Sequence, residues 1–296
     1  MTSQRWTATD LPDMSGKTVI VTGASSGLGV ATTRELARVG ARVVLAVRNV
    51  AKGEEVACTV EGTTEVRDLD LTSLTSIREF ADAWIGDVDV LVNNAGIMML
   101  PYGKTADGFE LQIGTNHLGH FALTNLLLPH ITGRVVTISS PLHARGHIDL
   151  EDLNWEHRRY NSDRAYADSK EANVLFTLEL QRRLVAGGSR VRAVSAHPGI
   201  ARTNLGAHIR GMRGLAARIG GVIGQDVEHG ALPTLYAATQ EIPGNTFIGP
   251  DGVGHLRGYP EVVQPSKGSQ DPDLAARLWI LSAGLTQVES PVLSAP

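Results

Sequence analysis

An apolar β-branched run, Thr18 to Thr22 (TVIVT), passes straight into Thr22-Gly23-Ala24-Ser25-Ser26-Gly27-Leu28-Gly29, and a helical pattern follows from Leu28 to Val39, ended by Gly40. Three glycines and two hydroxyls at one strand-to-helix junction are more than an ordinary turn requires. Gly23, Gly27 and Gly29 supply a permissive backbone and lack a Cβ. Backbone N–H groups at the helix N-terminus, flanked by Ser25, Ser26 and Leu28, can then approach a pyrophosphate closely. The junction predicts the first βα turn of a dinucleotide-binding unit.

Short strand-like runs alternate with longer helical patterns along the rest of the chain. Further strands are predicted at Arg42–Val47, Thr64–Asp68, Val88–Val92, Arg134–Ile138 and Val191–Ala196, with an edge strand at Asn245–Ile248. Helices are predicted at Ser73–Trp84, at Phe109–Leu128 (stopped by Pro129) and at Arg164–Leu184. This order predicts an α/β fold, a doubly wound parallel sheet of the Rossmann type with about seven strands and helices on both faces. No linker or repeat interrupts it, so residues 1–296 are expected to form one dinucleotide-binding and catalytic domain.

The second strand chooses between nicotinamide cofactors. An NAD site usually carries an acidic residue near its end, where it bonds the ribose 2′-hydroxyl. Here the strand ends Ala46-Val47-Arg48-Asn49. The Arg48 guanidinium matches phosphate geometry, so NADP(H) is the expected cofactor. A solvated arginine at a strand end is the plainer reading of the same residue.

At this point the motifs resemble those of the short-chain dehydrogenases/reductases. TGASSGLG at Thr22–Gly29 is similar to the family's TGxxxGxG loop, and Asn93-Asn94-Ala95-Gly96 to its NNAG motif. Asn116, Ser140, and Tyr166 with Lys170 match its catalytic tetrad, and Pro198-Gly199 its PG motif. LAVRN at Leu45–Asn49, NHLGHF at Asn116–Phe121, ANVLFTLELQRRL at Ala172–Leu184, and Leu278-Trp279 resemble the retinol dehydrogenase-like branch. The resemblance implies a hydride transfer between nicotinamide and a lipophilic carbonyl or alcohol. It places Asp70 and Leu71 at the adenine edge, and Asn93, Ala95 and Gly96 at the adenosine ribose. Pro198 and Gly199 line the nicotinamide end, and Thr203 completes the cofactor-binding set. Asn116 would hold a water that links Lys170 to solvent.

The chemistery of the tetrad can be stated in energies. Tyrosine titrates near 10, and bringing it to about 7 would require roughly 4 kcal/mol of preferential phenolate stabilisation. Lys170, one turn along the same helix face, supplies part of that, while Ser140 donates to the developing oxyanion. Ser139 competes with Ser140 for the serine role, and the resemblance points to Ser140. His143 to Arg164 is read as an insertion beside the site, and Pro141 as a departure that alters its loop. His143 is expected to be a polar loop histidine rather than a substrate contact.

From 203 to 225, Leu205, Ile209, Met212, Ala216, Ile219 and Ile223 form a helical apolar stripe interrupted by glycines. A lid over a lipophilic substrate is expected there, with a plain packing helix as the alternative. The chain has a net charge of −4, which gives no reason to expect nucleic acid. Cys58 is the only cysteine, so no intrachain disulfide forms, and the histidines show no metal-ligand spacing. No apolar run in Met1–Ser15 or beyond reaches spanning length. The expectations are therefore no metal, no membrane span, a cytoplasmic location, and an oligomer as a possibility. The competing reading is a non-catalytic NADP(H)-binding regulator or scaffold on the same fold. An enoyl reductase would require a wider Tyr–Lys spacing.

Overall fold

The computed structural model describes residues 5–201 and 224–289. The eight strands among them are β1 (Thr18–Thr22), β2 (Arg42–Val47), β3 (Thr63–Asp68), β4 (Val88–Asn93), β5 (Ile131–Ile138), β6 (Arg192–Ala196), β7 (Phe247–Pro250) and β8 (Pro260–Val262). They join in one sheet of order β3-β2-β1-β4-β5-β6-β7-β8, parallel except for β8, which pairs antiparallel to β7. The expected doubly wound sheet is present, with one more strand than the sequence indicated. β8 was missed because it has only three residues and begins with Pro260, a residue that normally argues against a strand.

Side-chain alternation explains the two covered faces. Val19 and Val21 of β1, with Val43, Leu45 and Val47 of β2, point into one buried layer. Leu36 of α1 (Gly27–Arg38) and Val56 of α2 (Val50–Ala57) pack into it. Ile20, Val44 and Leu91 point the other way, towards Phe80 of α3 (Leu74–Asp82). Such period-two placement is what a strand buried on both sides requires. The β4–β5 register shifts between Val88 and Val90, with the extra residue on β5, and those two valines lie in opposite layers.

The long helix expected at Phe109–Leu128 is divided. A short turn α4 (Leu111–Ile113) widens into a π-helical turn at Gly114–Leu118 before α5 (Gly119–Leu127). Pro129 does not stop it at once but sits inside a 3₁₀ turn, Leu128–His130. Asn116, which helix propensity does not explain, lies in the widened turn, a form that concentrates at functional sites. Helix α6 (Ser162–Ala186), which carries Tyr166 and Lys170, begins two residues before the predicted start, where the Asn161 side chain caps Asp163 and Arg164.

Two further helices lacked clear sequence signals: α7 (Val227–Thr239), which packs with α1, and α8 (Pro272–Thr286), which packs on α6. No helix among the described residues is long and apolar enough to cross a membrane. No metal-binding cluster occurs among them either. Cys58 caps the C-terminus of α2 with its side chain exposed.

Candidate active site

The chain reverses direction across the sheet between β1 and β4, and a cleft of about 540 Å³ opens there at the strand ends. This is where an open α/β sheet presents its ligand site. Gly23, Ser25, Ser26, Gly27, Leu28 and Gly29 form one wall. The fit to a dinucleotide can be tested at Gly29. A Cβ there would stand 2.5 Å from the Gly23 carbonyl oxygen and 2.8 Å from Asn94 Nδ2. Gly23 has φ +66°, and its own Cβ would lie 2.9 Å from Ala95. The loop is thus drawn tight against the β4 turn, leaving its N–H groups open to a phosphate.

Hydrogen bonds from Thr22 hold the two turns together. Its Oγ1 accepts from Asn94 N and Ala95 N, both at 2.9 Å, while its carbonyl accepts from Asn94 Nδ2 at 2.7 Å. Asn94, Ala95 and Gly96 line the cleft, but Asn93 does not. Its side chain turns into the core and donates to Thr124 Oγ1 at 2.9 Å, so Asn94 lines the cleft where Asn93 was expected. Strand alternation accounts for the exchange.

Arg48 lines the far end of the cleft, as do Asp70 and Leu71. Lys52, which the sequence reading missed, joins Arg48 there. Asn49 caps α2 by accepting from Lys52 N at 3.0 Å, and this sets the lysine in the first helical turn. The sequence carries only a partial signal for it, a capping asparagine directly after Arg48 with a cation three positions beyond the cap, ahead of a short helix.

At the other end stand Tyr166, Lys170, Ser139 and Pro198. The structure separates the two serines. Ser139 Oγ donates to the Lys170 carbonyl at 2.7 Å and is spent on holding α6. Ser140 Oγ accepts from Leu142 N at 3.2 Å and faces the Tyr166 hydroxyl, whose pKa it lowers. Pro141 occupies the first position of the following 3₁₀ turn, where its missing N–H costs nothing. His143 is buried rather than a polar loop residue: Nδ1 bonds the Ser140 carbonyl at 2.7 Å, and Nε2 accepts from Ser266 N at 3.1 Å.

Lys170 Nζ donates to the Ile138 carbonyl at 3.0 Å and lies 5.9 Å from the Tyr166 ring centre. Burial lowers Lys170 to about 8. It raises Tyr166 to about 12, against a smaller opposing effect of the Ser140 hydrogen bond. The expected lowering of Tyr166 is therefore not seen in the protein alone, because desolvation of the phenolate dominates.

Asn116 Oδ1 accepts from Ile97 N, and its Nδ2 donates to the Ile97 carbonyl and Ser169 Oγ, each at 2.9 Å. The same side chain thus ties the turn after β4 to the catalytic helix. Gly199 does not line the cleft. At φ +64° a Cβ there would lie on Leu256 backbone atoms, so it serves the turn instead. Thr203 and positions 203–223 of the expected lid lie outside the described residues.

Comparisons with known proteins agree with this geometry. The sequence profile of the short chain dehydrogenase family matches residues 17–214. Human Retinol dehydrogenase 13 is 44% identical over 93% of this chain and 86% of its own length. The crystal structure of an uncharacterized Mycobacterium paratuberculosis protein is 52% identical, covers 97% of this chain and 100% of its own, and superposes with a TM-score of 0.86. A structure described as an NAD(P)-dependent gluconate 5-dehydrogenase from Beutenbergia cavernae, with bound NADP, is 29% identical. It covers 77% of this chain and 91% of its own, with a TM-score of 0.57.

Proposed function

The chain belongs to the short-chain dehydrogenase family and is an oxidoreductase of that family, and from this premise we propose that it is an NADP-dependent carbonyl reductase or alcohol dehydrogenase acting on a lipophilic carbonyl or alcohol. The observation that carries this reading is the placement of Tyr166 and Lys170 at one end of a cleft whose other end holds Arg48 and Lys52, with Ser140 beside the Tyr166 hydroxyl.

Arg48 and Lys52, beside the N-terminus of α2, form a compact positive site suited to a ribose 2′-phosphate. Gly23 to Gly29 would hold the pyrophosphate, and Ala95, Gly96, Lys170 and Pro198 would guide the remaining cofactor towards Tyr166. When bound, the nicotinamide supplies or accepts the hydride.

In the reductive direction Tyr166 donates its hydroxyl proton to the carbonyl oxygen as negative charge develops there. Ser140 donates a hydrogen bond to the same oxygen, and fixed donors of this kind are effective in a cleft shielded from water. Burial keeps Tyr166 protonated, which is the form a general acid needs. Lys170, charged below about 8, favours the phenolate that remains. Asn116 keeps the turn after β4 and α6 in register, and its proposed water would return the proton.

The apolar substrate class rests on Ile97, Leu100 and Leu111, which line the cleft along with Tyr166. The resemblance to retinol dehydrogenases supports the same class. NADPH oxidation with lipophilic aldehydes, ketones, quinones and sugars tests the proposal. Turnover of apolar carbonyls, lost in Tyr166→Phe, is expected. Tight NADPH binding with no turnover on any of them would favour a non-catalytic regulator.

A further inference from the structure

The segment before α6 does more than lengthen the loop. Tyr160 reaches from it to the turn after β4: its hydroxyl lies 3.1 Å from the Leu100 carbonyl and 2.9 Å from Glu110 Oε1, and accepts from Gln112 Nε2 at 2.9 Å. The same Gln112 amide donates to the Ser162 carbonyl at 3.0 Å, and its Oε1 accepts from Met99 N at 2.7 Å. Met99 N can only donate and the Ser162 carbonyl can only accept, so the orientation of the amide is fixed. Met99 has φ +53°, a left-handed conformation that a non-glycine residue holds only when its surroundings enforce it. Tyr102 and Trp155 pack edge-on against the Tyr160 ring, with centroids 5.2 and 5.6 Å away.

These bonds tie the apolar turn that carries Ile97 and Leu100 to Ser162, one helical turn before Tyr166. We infer that Tyr160 is a specificity-determining positioning residue, which holds the Ile97–Leu100 wall against the reacting end of the cleft and so sets the fit of long apolar substrates. For its substrate this rests on the carbonyl-reductase reading above.

Proton counting adds a condition. Tyr160 has one hydroxyl proton and two acceptors in reach, Leu100 O and Glu110 Oε1. With Glu110 ionised, the carboxylate competes for that proton and the Leu100 carbonyl loses its donor. With Glu110 neutral, its own proton goes to Tyr160, and Tyr160 donates to Leu100, so every polar group in the cluster is satisfied. Glu110 is fully buried, and burial raises its pKa, which favours the neutral form.

Hydrogen exchange of the peptide spanning 97–103 tests the clamp in the full chain, and KM values for decanal and propanal test its consequence. Tyr160→Phe is expected to speed exchange of this peptide while the β-sheet peptides stay protected. It should raise KM for decanal relative to propanal about fivefold, the weight of one net hydrogen bond, with kcat held. Glu110→Gln, whose amide can donate to Tyr160 as a neutral carboxyl does, is expected to keep wild-type exchange, and faster exchange in it would overturn the neutral-Glu110 arrangement. Unchanged exchange at 97–103 in Tyr160→Phe would overturn the clamp. Raised exchange with an unchanged KM ratio would overturn the role in specificity. Absence of wild-type turnover with either aldehyde counts against the reductase reading, and exchange still decides the clamp.

Discussion

Lys170 Nζ lies 5.9 Å from the centre of the Tyr166 ring, and burial drives the two groups towards their neutral forms, Lys170 to about 8 and Tyr166 to about 12. The protein thus holds a protonated tyrosine in reserve. Tyr166→Phe keeps the ring and removes only the proton, so turnover should fall by about 10²–10⁴-fold, the usual contribution of a general acid. NADPH affinity, read by its fluorescence, should be largely retained. Near-normal turnover in this variant would remove Tyr166 from the mechanism.

The same pair sets a pH dependence. Lys170 carries its charge below about 8 and loses it above. The kcat/KM for NADPH, which reports groups of the free enzyme, should be level through neutrality and decline above about pH 8. Lys170→Met should be slow throughout and lack that decline. A wild-type profile flat to pH 10 would contradict the assignment.

The proposed NADP preference rests on Arg48 and Lys52, which line the same end of the cleft. Each can make a charged hydrogen bond to a 2′-phosphate, worth roughly 1.5–3 kcal/mol, or about tenfold to a hundredfold in preference. Arg48→Ala should weaken NADPH by that factor and leave NADH nearly unchanged. Lys52→Ala should do the same to a smaller extent, since its stem is more flexible. Equal NADPH and NADH affinity in the wild type, unmoved by Arg48→Ala, would refute NADP preference.

Arg48 was legible because an acidic residue was missing at the end of β2, but Lys52 was not. Its place depends on how α2 starts, and the eight residues of that helix gave too weak a pattern. The strands and the loop from Gly23 to Gly29 were readable because period-two burial and backbone freedom are local properties. Which of the two adjacent asparagines lines the cleft is not legible in the motif, because only the pleat of β4 turns the Asn93 side chain inward. The roles of His143 and Tyr160 depend on Ser266 and Leu100, partners 123 and 60 residues distant in sequence. No local pattern carries such pairings.

Glu171 offers a prediction on stability. It is buried on α6, and its Oε2 has no hydrogen-bond partner. Burial first, then repulsion from Asp168, raise it to about 7, against a backbone hydrogen bond from Ile148. A raised carboxyl contributes stability in its protonated form, which is lost as pH rises through about 7. Glu171→Gln should therefore be more stable than wild type at pH 8, by up to about 3 kcal/mol. Below pH 4.5 the two should be nearly equal. Denaturant unfolding at both values checks it, and an equal difference at both would assign the effect to packing instead.

The last prediction concerns α8. Trp279 is buried, 4.8 Å from the ring centre of Phe121 on α5, and stacked at 5.7 Å on Phe176 of α6, with the Arg183 guanidinium 4.7 Å from its ring centre. The helix thereby covers the outer faces of the two elements that carry the catalytic residues and their support. Trp279→Ala leaves a cavity beside two rings and should cost about 3–5 kcal/mol, a fall of about 10 °C in Tm. Trp279 does not line the cleft, so kcat/KM at 25 °C should change little. A Tm near that of the wild type would show that α8 adds no stability there. A large loss of kcat/KM with Tm intact would show instead that the aromatic stack transmits its position to Tyr166 through α6.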